Sequence, residues 1–128
     1  MGGISQEVLV VEDDSNIAYL LDFMLSKEGY KVRLAKDGNE ALLYIDDINF
    51  NPLFILLDIM VPYIDGYELL KRIRSKPSLS SIPVLMLSAK SQEADKQHAR
   101  ELKADDYILK PFQPVELLER IQRLLKSR

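Results

Sequence analysis

Four short apolar runs, each ending on a polar or charged residue, constrain this chain more than any other feature. Val8-Leu9-Val10-Val11 leads into Glu12-Asp13, and Phe54-Ile55-Leu56-Leu57 leads into Asp58. Val84-Leu85-Met86-Leu87 leads into Ser88, and Tyr107-Ile108-Leu109 into Lys110. Uniformly apolar runs of this length fit strands buried on both faces, as in a parallel sheet. Parallel strands all finish at one edge, and open α/β sheets bind ligands there. Glu12, Asp13, Asp58, Ser88 and Lys110 are therefore expected to meet in one pocket.

The segments between the runs read as helices and one further strand. Ile17, Leu20, Leu21, Met24 and Leu25 recur at helical spacing, and Gly29 supplies a stop. Lys31–Ala35 alternates, as a less buried strand nearer an edge does. Asp37 with Glu40, and Asp65 with Glu68, form D-x-x-E capping pairs. They precede Ala41, Leu42 and Ile45 in one case and Leu69, Leu70 and Ile73 in the other. Lys76-Pro77-Ser78 ends the latter helix, and Ile82-Pro83 opens the next strand.

Residues 91–102 read as a weaker helix whose apolar stripe is only Ala94, Ala99 and Leu102. Pro114 fits the first turn of a last helix, with Val115, Leu118, Ile121, Leu124 and Leu125 as its expected buried face. Five alternations of strand and helix imply a doubly wound α/β domain. Right-handed crossovers leave few topologies. The expected fold is a flavodoxin-like (βα)5 sandwich with a five-stranded parallel sheet in the order 2-1-3-4-5. Residues 1–6 read as a short disordered lead and 7–126 as the domain.

The length of 128 residues suits a single domain. Without cysteine, neither disulfide nor thiolate chemistry is available. A net charge of -3 weighs against direct nucleic-acid binding. No apolar stretch is long enough to span a membrane, and residues 1–6 lack the basic and apolar regions of a signal peptide. No membrane partner is expected, and a cytoplasmic location follows by default.

The carboxylates set the chemistry. Two like charges about 4 Å apart repel by roughly 4 kcal/mol at an effective dielectric near 20, so three at one strand edge are unfavourable without a cation. All-oxygen ligands suit a hard divalent ion, and few protein carboxylates with several waters suit Mg²⁺. The competing reading is that Glu12-Asp13-Asp14 only caps a helix start, and Asp14 or Ser15 is the expected N-cap. Lys110 precedes Pro111, which makes that bond a candidate for cis. Ser88 by itself is ordinary turn chemistry, but in a phosphate pocket its hydroxyl would donate to a phosphoryl oxygen. Asp58 is the natural nucleophile, since a carboxylate attacking phosphorus forms an acyl phosphate. Lys110 and Mg²⁺ would neutralise charge on the transferring group.

Taken together, these residues resemble the receiver domain of two-component response regulators, over residues 7–126. The matching motifs are Leu9-Val10-Val11-Glu12-Asp13-Asp14, Leu56-Leu57-Asp58-Ile59-Met60-Val61-Pro62, Asp65-Gly66, Leu87-Ser88-Ala89 and Asp105-Asp106-Tyr107-Ile108-Leu109-Lys110-Pro111-Phe112. The resemblance implies that Asp58 accepts a phosphoryl group from a sensor histidine kinase or a histidine phosphotransfer protein. It implies Mg²⁺ ligation by Asp13, Asp58 and the Met60 carbonyl, with Glu12 acting through water. Ser88 would turn toward the phosphoryl group and Tyr107 would shift inward after it. The face of the fourth helix, fifth strand and fifth helix would be the output surface, with Lys90, Lys103, Tyr107 and Phe112 on or near it. That face also allows a homodimer or contact with a downstream partner the sequence does not name.

Two positions depart from the commonest family pattern. Tyr63 stands where a small residue is frequent, and reads first as an exposed loop tyrosine and second as a cover for the pocket or a partner contact. Lys103 stands where glycine is frequent and suggests a strained or differently closed turn. His98, the only histidine, reads as an exposed residue of the polar helix and not as a relay histidine.

The expected role is a phosphorylation switch rather than an enzyme, with self-phosphorylation and self-dephosphorylation as its only catalysis. One alternative is a receiver acting only as a relay intermediate or phosphate sink. Another is a dedicated Mg²⁺-dependent phosphotransferase, which an Asp-x-Asp pair would support, but the second position after Asp58 is Met60. A nucleotide P-loop is absent. The chain stops just after its fifth helix, so the reading includes both a self-standing regulator and a receiver cut from a larger one.

Overall fold

The computed structural model describes residues 6–127. Of the lead expected over 1–6, residues 1–5 lie outside that range; the Gln6 carbonyl accepts the Lys31 amide at 2.8 Å. Strands β1 (Glu7–Val11), β2 (Lys31–Ala35), β3 (Ile55–Asp58), β4 (Val84–Ser88) and β5 (Asp106–Leu109) alternate with five helices. The helices are α1 (Ser15–Lys27), α2 (Gly38–Ile45), α3 (Gly66–Ser75), α4 (Glu93–Glu101) and α5 (Pro114–Lys126). All strand pairs are parallel, and the sheet order is β2-β1-β3-β4-β5. This is the topology the alternation predicts.

Successive strand side chains point to opposite faces, which splits the core in two. Val8, Val10, Leu56, Leu85, Leu87 and Ile108 pack under α1 and α5, against Leu21, Met24, Leu25, Leu117 and Ile121. Leu9, Val11, Ile55, Leu57, Val84 and Met86 pack under α2, α3 and α4, against Ala41, Ile45, Leu69, Leu70, Ile73 and Ala99. The central strands are covered on both sides, which is why their sequences are unbroken apolar runs. β2 is an edge strand and only partly buried, matching its alternation.

The helix signals work as local chemistry requires. Asp14 is the N-cap of α1, its carboxylate accepting from the Asn16 and Ile17 amides at 2.9 and 3.2 Å. Asp37 and Asp65 accept from the Glu40 and Glu68 amides at 2.8 and 3.0 Å. Glu40 closes its box one residue early, on the Lys36 amide. α1 ends in a Schellman motif, with Tyr30 N–H on the Leu25 carbonyl, Gly29 N–H on the Ser26 carbonyl and Gly29 at φ 95°. α4 ends in the same motif, Ala104 to Ala99 and Lys103 to Arg100, but with Lys103 in the left-handed position at φ 71°.

Two expected faces need correction. On α5, Val115 is 68% exposed, and Leu117 is buried in its place beside Ile121. α4 runs Glu93–Glu101, shorter than 91–102, and buries Ala99 while Ala94 is exposed. No helix among the described residues is long and apolar enough to cross a membrane.

Candidate functional site

The sheet register brings the strand ends together. Val11 pairs with Leu57, Asp58 with Leu87 and Ser88 with Leu109. Glu12, Asp58, Ser88 and Lys110 therefore finish four adjacent strands at one edge. Carboxylate oxygens of Glu12, Asp13 and Asp58 all lie within 4.8 Å of one another. Glu12 and Asp58 are buried, while Asp13 is exposed at the mouth.

Lys110 closes the cluster. Its Nζ donates to Asp58 Oδ2 at 2.8 Å and lies 2.7 Å from Glu12 Oε1. The Glu12 contact is an ion pair whose angles fall short of a hydrogen bond, so Oε1 is buried without a well-directed donor. Glu12 Oε2 accepts from the Asp14 amide at 3.1 Å, and Asp58 Oδ1 accepts from the Met60 amide at 3.1 Å. The Lys110-Pro111 bond is cis, as its sequence allows.

Burial dominates the electrostatics. It pushes the Glu12 carboxyl up to about 7, against the lowering effects of Lys110 and the Asp14 amide, with Asp58 adding to the rise. Burial also works against the Lys110 ammonium, but the close contacts and charges of Asp58 and Glu12 outweigh it and raise the pKa. One ammonium thus faces three carboxylates. That imbalance and an all-oxygen donor set fit a hard divalent cation.

The loop after β3 holds Asp58 in place. A Cβ on Gly66 would sit 2.6 Å from the Asp58 carbonyl oxygen, so this close return of the chain requires glycine. The Gly66 amide donates to the Ile59 carbonyl at 2.8 Å. Met60 and Tyr63 lie 62% and 79% exposed on the loop. Tyr63, at φ 73°, is the centre of a γ-turn in which Ile64 N–H meets the Pro62 carbonyl at 2.9 Å. The exposed tyrosine of the first reading is what the structure contains.

Ser88 is buried at the end of β4, and its Oγ accepts from the Lys90 amide at 2.9 Å. Tyr107 is half-buried, and its hydroxyl donates to the Lys90 carbonyl at 2.9 Å. Tyr107 is thus already turned inward in this arrangement. A groove of about 490 Å³ lies away from the carboxylates, between α4, β5 and α5, lined by Lys96, Arg100, Tyr107, Leu109, Glu116 and Arg120 among others. Sequence reasoning gave no role to Tyr67. Its hydroxyl donates to the Asp95 carbonyl at 3.3 Å and its ring meets His98, which is exposed as expected. Only its helical position one residue after Gly66 hinted at a place near the pocket.

A five-stranded parallel sheet in this order, with acids and a lysine at its carboxyl edge, defines a flavodoxin-like domain with an acidic pocket at that edge. Residues 8–122 match the model of the response regulator receiver domain, and the chain belongs to that family. Among solved structures it is similar to the signal receiver domain of a signal transduction histidine kinase from Syntrophus aciditrophicus. That match has 34% identity, TM-score 0.84, and covers 94% of this chain and 90% of the other. It is also similar to the receiver domain of a sensor histidine kinase from Pseudomonas aeruginosa, solved with a magnesium ion coordinated in its active-site cleft. There the identity is 30%, the TM-score 0.84, and coverage 96% and 99%. A CheY-like receiver domain protein from Methanospirillum hungatei matches at 30% identity and TM-score 0.87, covering 97% of this chain and 96% of that one.

Proposed function

We propose that this receiver domain is a phosphorylation switch in which Asp58 takes a phosphoryl group from a phosphohistidine. The donor is a sensor histidine kinase or a histidine phosphotransfer protein, acting in the cytoplasm. The observation that carries this reading is the Lys110 ammonium lying 2.8 Å from the buried Asp58 inside a three-acid cluster. An Asp58 carboxylate oxygen attacks phosphorus, the P–N bond breaks, and the leaving imidazole nitrogen takes up a proton. Lys110 is placed to balance charge on Asp58 and on the arriving phosphoryl oxygens.

Asp13, Asp58 and the Met60 carbonyl would hold Mg²⁺, with Glu12 acting through water. The ion, when bound, offsets the acidic cluster and the phosphoryl charge. Ser88 would exchange its bond to the Lys90 amide for one to a phosphoryl oxygen. Tyr107, bonded to the Lys90 carbonyl, reports that change to the α4-β5-α5 face, where a partner or a second copy of the chain would dock. The domain turns over no external substrate in this reading; it assists only its own phosphorylation and dephosphorylation.

Intact mass after incubation with acetyl phosphate and Mg²⁺ tests the assignment. One added phosphoryl group is expected in the wild type and none in Asp58→Asn. Equal labelling of the variant would remove Asp58 from the role.

A further inference from the structure

α4 has little to hold it. Among the described residues it buries one side chain, Ala99, and its N-cap, Gln92, makes no side-chain capping bond. Tyr67, in the first turn of α3, reaches across to its exposed side. The Tyr67 hydroxyl donates to the Asp95 carbonyl at 3.3 Å, and its ring lies edge-on to the His98 ring with centroids 4.3 Å apart.

The base of Tyr67 is tied to the pocket. Its neighbour Gly66 packs against the Asp58 backbone, and Tyr67 lines a cleft with Ile59, Met60, Asp65 and Lys90. Its hydroxyl also lies beside that of Tyr107, close enough for each phenol to perturb the other. Burial, followed by Tyr107 and Asp95, raises the Tyr67 phenol to about 12, so it stays a proton donor at neutral pH. One side chain therefore touches the phosphoacceptor loop at its root and α4 at its tip, next to the tyrosine that joins the Ser88 turn.

We propose that Tyr67 is a positioning residue of the switch, latching α4 to α3 through Asp95 and His98 in the arrangement that has Tyr107 inward. This rests on the reading of Asp58 as phosphoacceptor. A contact made only in one arrangement favours any ligand that prefers that arrangement, and the coupling is reciprocal. Loss of one such hydrogen bond changes the equilibrium by roughly two- to tenfold.

The test uses the full chain with Mg²⁺ and beryllofluoride as the phosphoryl mimic, followed by NMR and amide hydrogen exchange. Tyr67→Phe keeps the ring and removes the hydroxyl. It is expected to weaken mimic binding by about two- to tenfold and to speed exchange of the α4 amides. Pocket shifts at saturation should match those of the wild type. His98→Ala, on an exposed position, should move both readouts in the same direction, and it carries the test if Tyr67→Phe is poorly folded. Wild-type mimic affinity and α4 exchange in both variants, whatever their melting points, would overturn the latch alone. Failure of the wild type to bind the mimic at all would overturn the phosphoacceptor reading and the latch with it.

Discussion

Arg74 donates from Nε and Nη2 to the carbonyl of Lys103, at 3.0 and 2.8 Å. The same guanidinium reaches the Ile82 carbonyl at 2.7 Å and Asp105 Oδ2 at 2.9 Å. Asp105 Oδ2 in turn accepts from the Val84 amide at 2.8 Å. One side chain, 13% exposed, therefore pins the end of α3, the start of β4 and the turn into β5. All of this lies at the sheet edge opposite the acidic pocket.

Arg74→Ala should therefore destabilise the domain without altering its chemistry. Several carbonyls lose a charged donor, and water replaces it only in part. The expected cost is about 2–3 kcal/mol, read as a lower urea midpoint, with Mg²⁺ affinity unchanged. A midpoint equal to that of the wild type would show that these bonds are made as well by solvent.

Left-handed backbone gives a second prediction. Tyr63 and Lys103 hold φ 73° and 71°. For a side chain bearing Cβ this costs about 1–2 kcal/mol, while glycine gives back roughly 0.5–1 through its freer unfolded chain. Tyr63→Gly and Lys103→Gly should each stabilise by about 0.5–1 kcal/mol, a rise in melting temperature of roughly 2–4 °C. Gly29→Ala, at φ 95°, should move the other way. Melting curves that fall for both glycine variants would mean the two side chains contribute contacts that outweigh their strain.

Magnesium should stabilise the native state through linkage. At a free concentration about a hundredfold above its dissociation constant, a ligand of the folded state alone adds roughly 2.7 kcal/mol. Differential scanning calorimetry with and without Mg²⁺ measures this directly. Asp13→Asn should lose most of the increment, while its stability without metal is close to wild type or higher, because one member of a repelling cluster is gone. Superimposable scans at millimolar Mg²⁺ would leave the acids with helix capping alone.

Ser88→Ala separates binding from response. The variant keeps Glu12, Asp13, Asp58 and Lys110, so Mg²⁺ and beryllofluoride should still perturb pocket resonances. It frees the Lys90 amide, whose carbonyl is the acceptor for Tyr107. Shifts across residues 88–112 should therefore shrink, most of all at Tyr107. A wild-type pattern in the variant would take Ser88 out of any path between the pocket and the α4-β5-α5 face.

The parts legible in the sequence were those that a buried parallel sheet writes into local composition. Leu56 and Leu57 face opposite cores, so β3 has to be apolar throughout, and the first polar residue, Asp58, marks its edge. The α5 face was legible in its spacing: Leu117, four residues before Ile121, lies about 40° from it around the helix, and Val115 about 120°, so the 3.6-residue period favours Leu117, the one that is buried. Arg74 and Tyr67 left no local signal, because their partners are brought near only by the packing of α3 beside α4 and the α4–β5 turn. Of the strained or differently closed turn expected at Lys103, the structure has the strained form, the glycine motif made without glycine at φ 71°.

The pocket has a further property that follows from its order along the chain. Its acids come from the ends of β1 and β3, and its lysine follows β5. Chains are synthesised from the amino end, and domains fold as their parts emerge. Until β5 joins the sheet, no ammonium faces Glu12 and Asp58, and their repulsion opposes the closing of that edge. The last strand to arrive thus carries the counter-charge for the first and third. A copy ending before Lys110 would hold Glu12 and Asp58 without the ammonium that lies 2.7 and 2.8 Å from them.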